Sequence, residues 1–300
     1  MKFGISVYSW EPFSYTPRIY EDLAVEAERL GYDSFLTTDH FLRPHATGHV
    51  EIKQHSTIEA WTLLSYVAAK TATIKIGTCI SPIPIRKPQV LAKIVASLDC
   101  LSGGRVILGA GPGRDQREFE GYGDVGWKSA SERIERTREG LEIIRRLWTE
   151  DTVTYDGKYY KTDNLILEPK PIQKPGPPIW LGGHHDKMLS LVAEQGDGWI
   201  LGRLLYGSIE EYGTAYRKIK ADMQSAGRTR PLLPALQGWF IAPGVPFTIG
   251  PYIGEIDKAA KIIEGYRNEG CEYMSLLFYP LDEFKEMMRD FARDIVPSFS

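Results

Sequence analysis

Along this chain, short apolar runs alternate with longer stretches in which apolar residues recur every three or four positions. The first pattern predicts strands and the second amphipathic helices. Phe3–Tyr8 is the first strand. Thr16-Pro17 then opens a helix with proline at its first position, Ile19, Leu23, Ala27 and Leu30 share one face, and Gly31 ends it. Ser34–Thr38 is the second strand, and Ser56-Thr57-Ile58-Glu59 has the layout of a capping box ahead of the second helix. Ile74–Ile80 is a third strand, followed by a helix from Pro88 to about Leu101. Arg105–Ala110 is the fourth strand, followed by a helix over Ser131–Trp148 with Ile134, Leu141, Ile144 and Trp148 on one side.

The rhythm then breaks. Thr152–Leu167 reads as a hairpin turning at Asp156-Gly157, and Pro169, Pro171, Pro175, Pro177 and Pro178 make a stiff connector. Alternation resumes with strands Ile179–Leu181, Trp199–Leu201, Leu236–Ile241 and Met274–Phe278. Their helices span about His185–Gln195, Ile209–Ala226, Ile256–Glu269 and Leu281–Arg293. Eight strand-then-helix units predict a parallel sheet covered by helices, and in 300 residues a closed (β/α)8 TIM barrel fits better than a doubly wound open sheet. Regular units on both sides of the proline-rich stretch make residues 1–300 a single domain, with the hairpin at about 152–167 as an insertion. Because the hairpin lies on a helix-to-strand connection, it belongs on the face away from catalysis.

Composition narrows the function. A chain of 43% hydrophobic and 25% charged residues with a formal charge of −3 lacks the basic excess of a nucleic-acid or membrane-surface binder. No apolar run reaches the length of a membrane span, and the first residues lack the layout of a signal peptide. Cys79, Cys100 and Cys271 are odd in number and widely spaced, which excludes a disulfide framework or a CxxC site. The expectation is a soluble cytoplasmic enzyme acting on a small molecule, with no nucleic-acid or membrane partner.

In a (β/α)8 barrel the chemistry sits on the loops that follow the strands. The second strand ends in Asp39-His40 and enters a long segment to Gln54. An imidazole there exchanges protons near neutral pH, while its bland alternative is a loop histidine bonded to backbone. His45 and His49 with His55 have no carboxylate or cysteine to complete a metal site, so no metal is predicted. The glycines of Gly109-Ala110-Gly111-Pro112-Gly113 fail the dinucleotide pattern because Arg114 stands where the last glycine would be; Gly111 and Gly113 instead suit close approach to a planar ring. Gly182-Gly183-His184-His185 opens a helix and offers N–H groups to an anion, or simply makes a tight turn. Tyr8, Trp10, Trp239 and Tyr279 near strand ends line an apolar pocket or belong to the core, and Arg203 meets an anion or solvent.

Six ordered segments resemble the bacterial luciferase-like superfamily of flavin- and deazaflavin-dependent oxidoreductases. They are Thr38-Asp39-His40-Phe41, Ile76-Gly77-Thr78-Cys79-Ile80-Ser81-Pro82, Leu101-Ser102-Gly103-Gly104-Arg105, Leu108 through Gly113, Glu168 through Gln173 with Pro178 through Gly183, and Gly196-Asp197-Gly198-Trp199. The resemblance implies a TIM barrel with insertions, a homodimer or higher homo-oligomer, and a flavin-like ring at the strand ends. It implies a cis peptide at Cys79–Ile80, with Thr78, Cys79 and Ile80 behind the ring, and Gly182, Gly183 and the N–H at His184 on the coenzyme phosphate. Asp39-His40-Phe41 looks like the branch that uses coenzyme F420 and includes relatives of methylene-tetrahydromethanopterin reductase. There Asp39 contacts the coenzyme or orients His40, and His40 is the catalytic group near the hydride-transfer centre. The alternatives are an FMN-dependent monooxygenase and a non-catalytic coenzyme-binding protein. In the branch's sugar-phosphate dehydrogenases a glutamate follows the Gly-x-Gly of strand four, where this chain has Arg114.

Overall fold

A computed structural model describes residues 1–9, 17–42, 57–202, 208–241, 256–279 and 282–299, with the side chains of residues 17, 239–241 and 256–257 left aside. Its barrel strands are β1 (Lys2–Val7), β2 (Ser34–Thr37), β3 (Lys75–Thr78) continued by β4 (Ser81–Pro82), and β5 (Val106–Gly111). After a hairpin of β6 (Val153–Asp156) and β7 (Lys161–Leu165) come β8 (Ile179–Gly182), β9 (Gly198–Gly202), β10 (Leu233–Ile241) and β11 (Tyr273–Tyr279). Each barrel strand pairs in parallel with its neighbours, β3 and β4 both meet β5, and β1 pairs with β11 to close the ring. The helices around it are α1 (Pro17–Arg29), α2 (Ala60–Lys70), α3 (Pro88–Ser102), α4 (Gln116–Tyr122), α5 (Ala130–Thr149), α6 (Asp186–Gln195), α7 (Ile209–Ser225), α8 (Ile256–Asn268) and α9 (Phe284–Asp294).

Strand alternation divides the core in two. Outward residues such as Ile5, Phe35, Ile76, Leu108 and Leu181 join the large cluster beneath the helices. Inward residues Leu36, Ile107, Trp180, Ile200, Ala235 and Tyr273 form a second cluster inside the barrel. Its lower end is polar but satisfied: Tyr273 and Ser34 share a 2.5 Å hydroxyl contact, under which Gly4 leaves no room for a side chain.

Three local expectations are corrected. The cap of α2 is Glu59, whose carboxylate accepts from the Trp61 and Thr62 N–H groups; Ser56 lies outside the described residues. The hairpin turn is longer than Asp156-Gly157, since the Gly157 N–H closes on Tyr160 O. The hairpin also does not stay on the far face. It climbs the outer flank of α5, where Glu139 accepts the N–H groups of Lys158, Tyr159 and Tyr160, and Lys161 O accepts from Gln89 at the start of α3. The Cys79–Ile80 peptide is cis, as the resemblance implied.

Glu26 ties the first helix to the last. Buried on α1, it accepts from Arg29 at 2.9 Å and from Arg289 of α9 at 2.5 Å. The Arg29 hydrogen bond, against the opposing effect of burial and with help from Arg289, holds its carboxyl down at about 2. A carboxyl depressed on folding stabilises fully above its unfolded value, near 4.5, and the contribution is lost as pH falls through about 2. Both arginines are half-exposed or more, so solvent screens part of this. Glu26→Gln should cost about 1–2 kcal/mol at pH 7 in urea unfolding, and the gap to the parent should close between pH 4.5 and 2. An unchanged gap down to that pH would remove the charge as its source.

Candidate active site

The segment leaving β2 turns over the barrel rim, and two buried carboxylates hold it. The first is Asp39, 2% exposed. Its Oδ1 accepts from Arg86 Nη2 at 2.7 Å, and its Oδ2 accepts from Arg86 Nε at 2.8 Å and from Ser81 Oγ at 2.5 Å. Arg86 reaches on to Glu59 at 2.5 Å and lies over the Phe41 ring, 4.8 Å from its centroid. Burial alone would weaken the Arg86 cation, but Asp39 and then Glu59 outweigh it and raise its pKa. Burial likewise pushes the Glu59 carboxyl up, while Arg86 and the Thr62 donors hold it below the usual range. Asp39 thus takes three hydrogen bonds from Arg86 and Ser81, and its contacts among the described residues are with these two rather than with His40.

The second carboxylate is Glu118 on α4, 1% exposed. Its two oxygens stand 3.1 and 3.0 Å from His40 Nδ1. Its Oε1 also accepts the Phe41 N–H at 2.7 Å and the Leu42 N–H at 3.0 Å. The Phe41 carbonyl accepts from Thr57 Oγ1, and its ring stacks on Tyr122 of α4 at 4.7 Å. His40 and the backbone after it are therefore clamped to α4. Sequence reading missed both helix and residue. The available signal was Asp115 followed three positions later by Glu118, an N-cap pattern; Asp115 does cap α4, through the Arg117 N–H.

Inside the mouth, the strand-three residues divide. Thr78 is buried, its hydroxyl donating to Gly109 O at 2.9 Å, so it braces β3 against β5. Cys79 and Ile80 pack on the inner cluster with part of their surface showing, a small apolar wall at the barrel's open end. Burial pushes the Cys79 thiol up to about 12, so it is neutral. The glycines serve this wall. The place of a Cβ on Gly111 is taken by Ile80 Cδ1, and one on Gly182 would lie 2.8 Å from the same atom. Gly113, at φ +71°, faces Phe119 at 2.8 Å and Pro82 at 3.1 Å. On the opposite side of the ring, half-buried Gln237 on β10 donates to Ser6 Oγ at 3.0 Å, and Ser6 meets Ser275 at 2.7 Å. This inward polar group also went unread in the sequence.

After β8, Gly183 takes φ +138°, a conformation suited to glycine, and its carbonyl accepts from Trp199 Nε1 at 2.9 Å. Helix α6 has its N-cap at His185, whose side chain makes no capping hydrogen bond. Its first-turn N–H groups thus keep the anion-binding character of a helix N-terminus. Burial first, then the neighbouring His185, lowers His184 to about 4, so its ring is neutral at physiological pH. Tyr8 sits half-buried at the rim after β1. Trp10, Arg203, His45, His49, His55 and the Trp239 side chain lie outside the described residues.

Residues 6–251 match the luciferase-like monooxygenase family model, and the chain belongs to that family. It is 36% identical over 187 residues to an F420-dependent glucose-6-phosphate dehydrogenase of Nocardia farcinica, an alignment covering 61% of this chain and 53% of that protein. The chain thus spans about half the length of that curated relative. Its fold is similar to an F420-dependent secondary alcohol dehydrogenase, with TM-score 0.83, 20% identity, and coverage of 100% of this chain and 99% of that one. It is also similar to the coenzyme F420-dependent tetrahydromethanopterin reductase of Methanopyrus kandleri, with TM-score 0.80, 20% identity and the same coverage.

The Asp39–Arg86–Glu59 network makes a sharp stability prediction. Arg86→Met strands two carboxylates and should cost about 3–5 kcal/mol, read by urea unfolding. Adding Asp39→Asn should recover part of that loss. Additive losses in the double variant would show that the two side chains are not coupled.

Proposed function

We propose that this family member is a coenzyme F420-dependent oxidoreductase that transfers a hydride between the deazaflavin and a small organic substrate. The observation that carries this reading is the 36% identity to the Nocardia farcinica protein, whose name specifies that coenzyme. The geometry is compatible with it. The Cys79–Ile80 wall supplies an apolar backing for a planar ring, and the Gly182-Gly183 turn with the uncapped start of α6 suits a phosphate. Bound coenzyme supplies the hydride chemistry. The protein's own part is to exclude water with the wall and to anchor the anionic tail on the N–H groups after Gly183. His40, held by Glu118, gives or takes a proton at the rim.

Arg114 is exposed where a glutamate stands in sugar-phosphate dehydrogenases of this branch, so the reading stops at a small organic substrate and does not extend to glucose 6-phosphate. The enzyme is proposed to work in the cytoplasm as a homodimer or larger homo-oligomer. No helix among the described residues is long and apolar enough to cross a membrane. A second reading, an FMN-dependent monooxygenase, is favoured by the description of the matching family model.

Fluorescence-quenching titration of apo-protein with F420 and separately with FMN separates the two. The first reading requires clear preference for the deazaflavin; preference for FMN with oxygen consumption installs the second. His40→Ala should leave F420 affinity nearly intact and lower turnover by about 10²–10⁴-fold. Turnover within a few-fold of the parent would remove proton transfer from His40, and tight coenzyme binding without turnover on any substrate would mark a carrier protein.

A further inference from the structure

We infer that Glu118 is a positioning residue that decides which nitrogen of His40 carries the ring proton. An ionised carboxylate only accepts hydrogen bonds. Both Glu118 oxygens face Nδ1, so Nδ1 carries the proton and Nε2 is the acceptor of the neutral ring. Other contacts fix Glu118 in the acceptor role. Two backbone N–H groups, from Phe41 and Leu42, converge on Oε1, and the Arg117 guanidinium feels its charge. Among the described residues, the other charged neighbours include Asp115, itself paired with Arg117, and, on the far side of the Phe41 ring, Arg86 with its own two carboxylates.

The same oxygen that orders the ring also holds the backbone on which the ring is mounted. His40 thus cannot rotate about its side-chain bonds without giving up the carboxylate, and the carboxylate cannot move without stranding two N–H groups. Free imidazole prefers the proton on the other nitrogen, so the imposed tautomer is a distinct, measurable signature. In the enzyme it presents Nε2 as the base and leaves Nδ1–H as the anchored end.

The inference rests on the oxidoreductase reading only for its catalytic consequence; the tautomer itself is independent of any coenzyme. Protein labelled with ¹⁵N-histidine, at a pH where the ring is neutral, reports the tautomer through two-bond ¹H–¹⁵N correlations. The His40 pattern is identified by its loss in His40→Asn. The parent should show Nδ1–H, and Glu118→Ala should revert to Nε2–H. Nε2–H in the parent, which needs no variant to observe, overturns the inference, as does an unchanged tautomer in folded Glu118→Ala. With F420 bound, Glu118→Ala should lower kcat by about 10- to 1000-fold while KM for the coenzyme stays within a few-fold. A tautomer switch with unaltered turnover in both Glu118→Ala and His40→Ala upholds the positioning role and instead removes the proton-transfer role from the proposed function.

Discussion

The mouth of this barrel depends on the sealed ion pair between Asp39 and Arg86. Taking both charges out of water is costly, and the pair returns that cost only because its geometry is bidentate, Asp39 also accepts from Ser81, and Arg86 also donates to Glu59. Its value lies in specification rather than net stability. Asp39 leaves β2, Ser81 belongs to β4, Arg86 precedes α3 and Glu59 caps α2. One guanidinium therefore registers four elements at a single point. An apolar replacement of similar volume would fill the space but would not say which strand end belongs beside which.

Glu118 repeats the device on the other side of the same segment, from α4. Between them the two carboxylates leave His40 little freedom. That arrangement suits a residue whose task requires a fixed ring in a partly wet place. The division of labour also explains why adjacent residues, Asp39 and His40, use carboxylate chemistry in opposite directions: one is consumed internally and the other is served by a carboxylate 78 positions away. Catalytic rims are built from loops on a rigid scaffold, and here rigidity is carried into the loop itself.

The barrel was legible because its signal is periodic and repeated. Each of the eight units is found within a few residues of where the apolar pattern puts it, from β1 at Lys2–Val7 to α9 at Phe284–Asp294. His40 was legible because a titratable side chain at a strand end is local information. Glu118 was not, since a seven-residue helix is too short to show a stripe and a carboxylate in a polar stretch resembles any solvated one. Arg86 was hidden for a related reason: in Ile85-Arg86-Lys87-Pro88 nothing local distinguishes a buried arginine from the exposed lysine beside it. The glycines were legible as tight places, but the protein neighbours that crowd them were not. Ile80 occupies the space above Gly111, and only the fold brings those two strands together.

Ring closure has a temporal side. The seam joins Lys2–Ile5 to Tyr273–Leu276, so β1 waits for the last strand of the barrel to be made. At about 5–20 residues per second that interval is roughly a quarter of a minute to a minute. Throughout it, β1 presents one row of unpaired N–H and C=O groups along the edge that β11 will fill. Of the barrel strands, β1 thus waits longest for a partner along one of its edges.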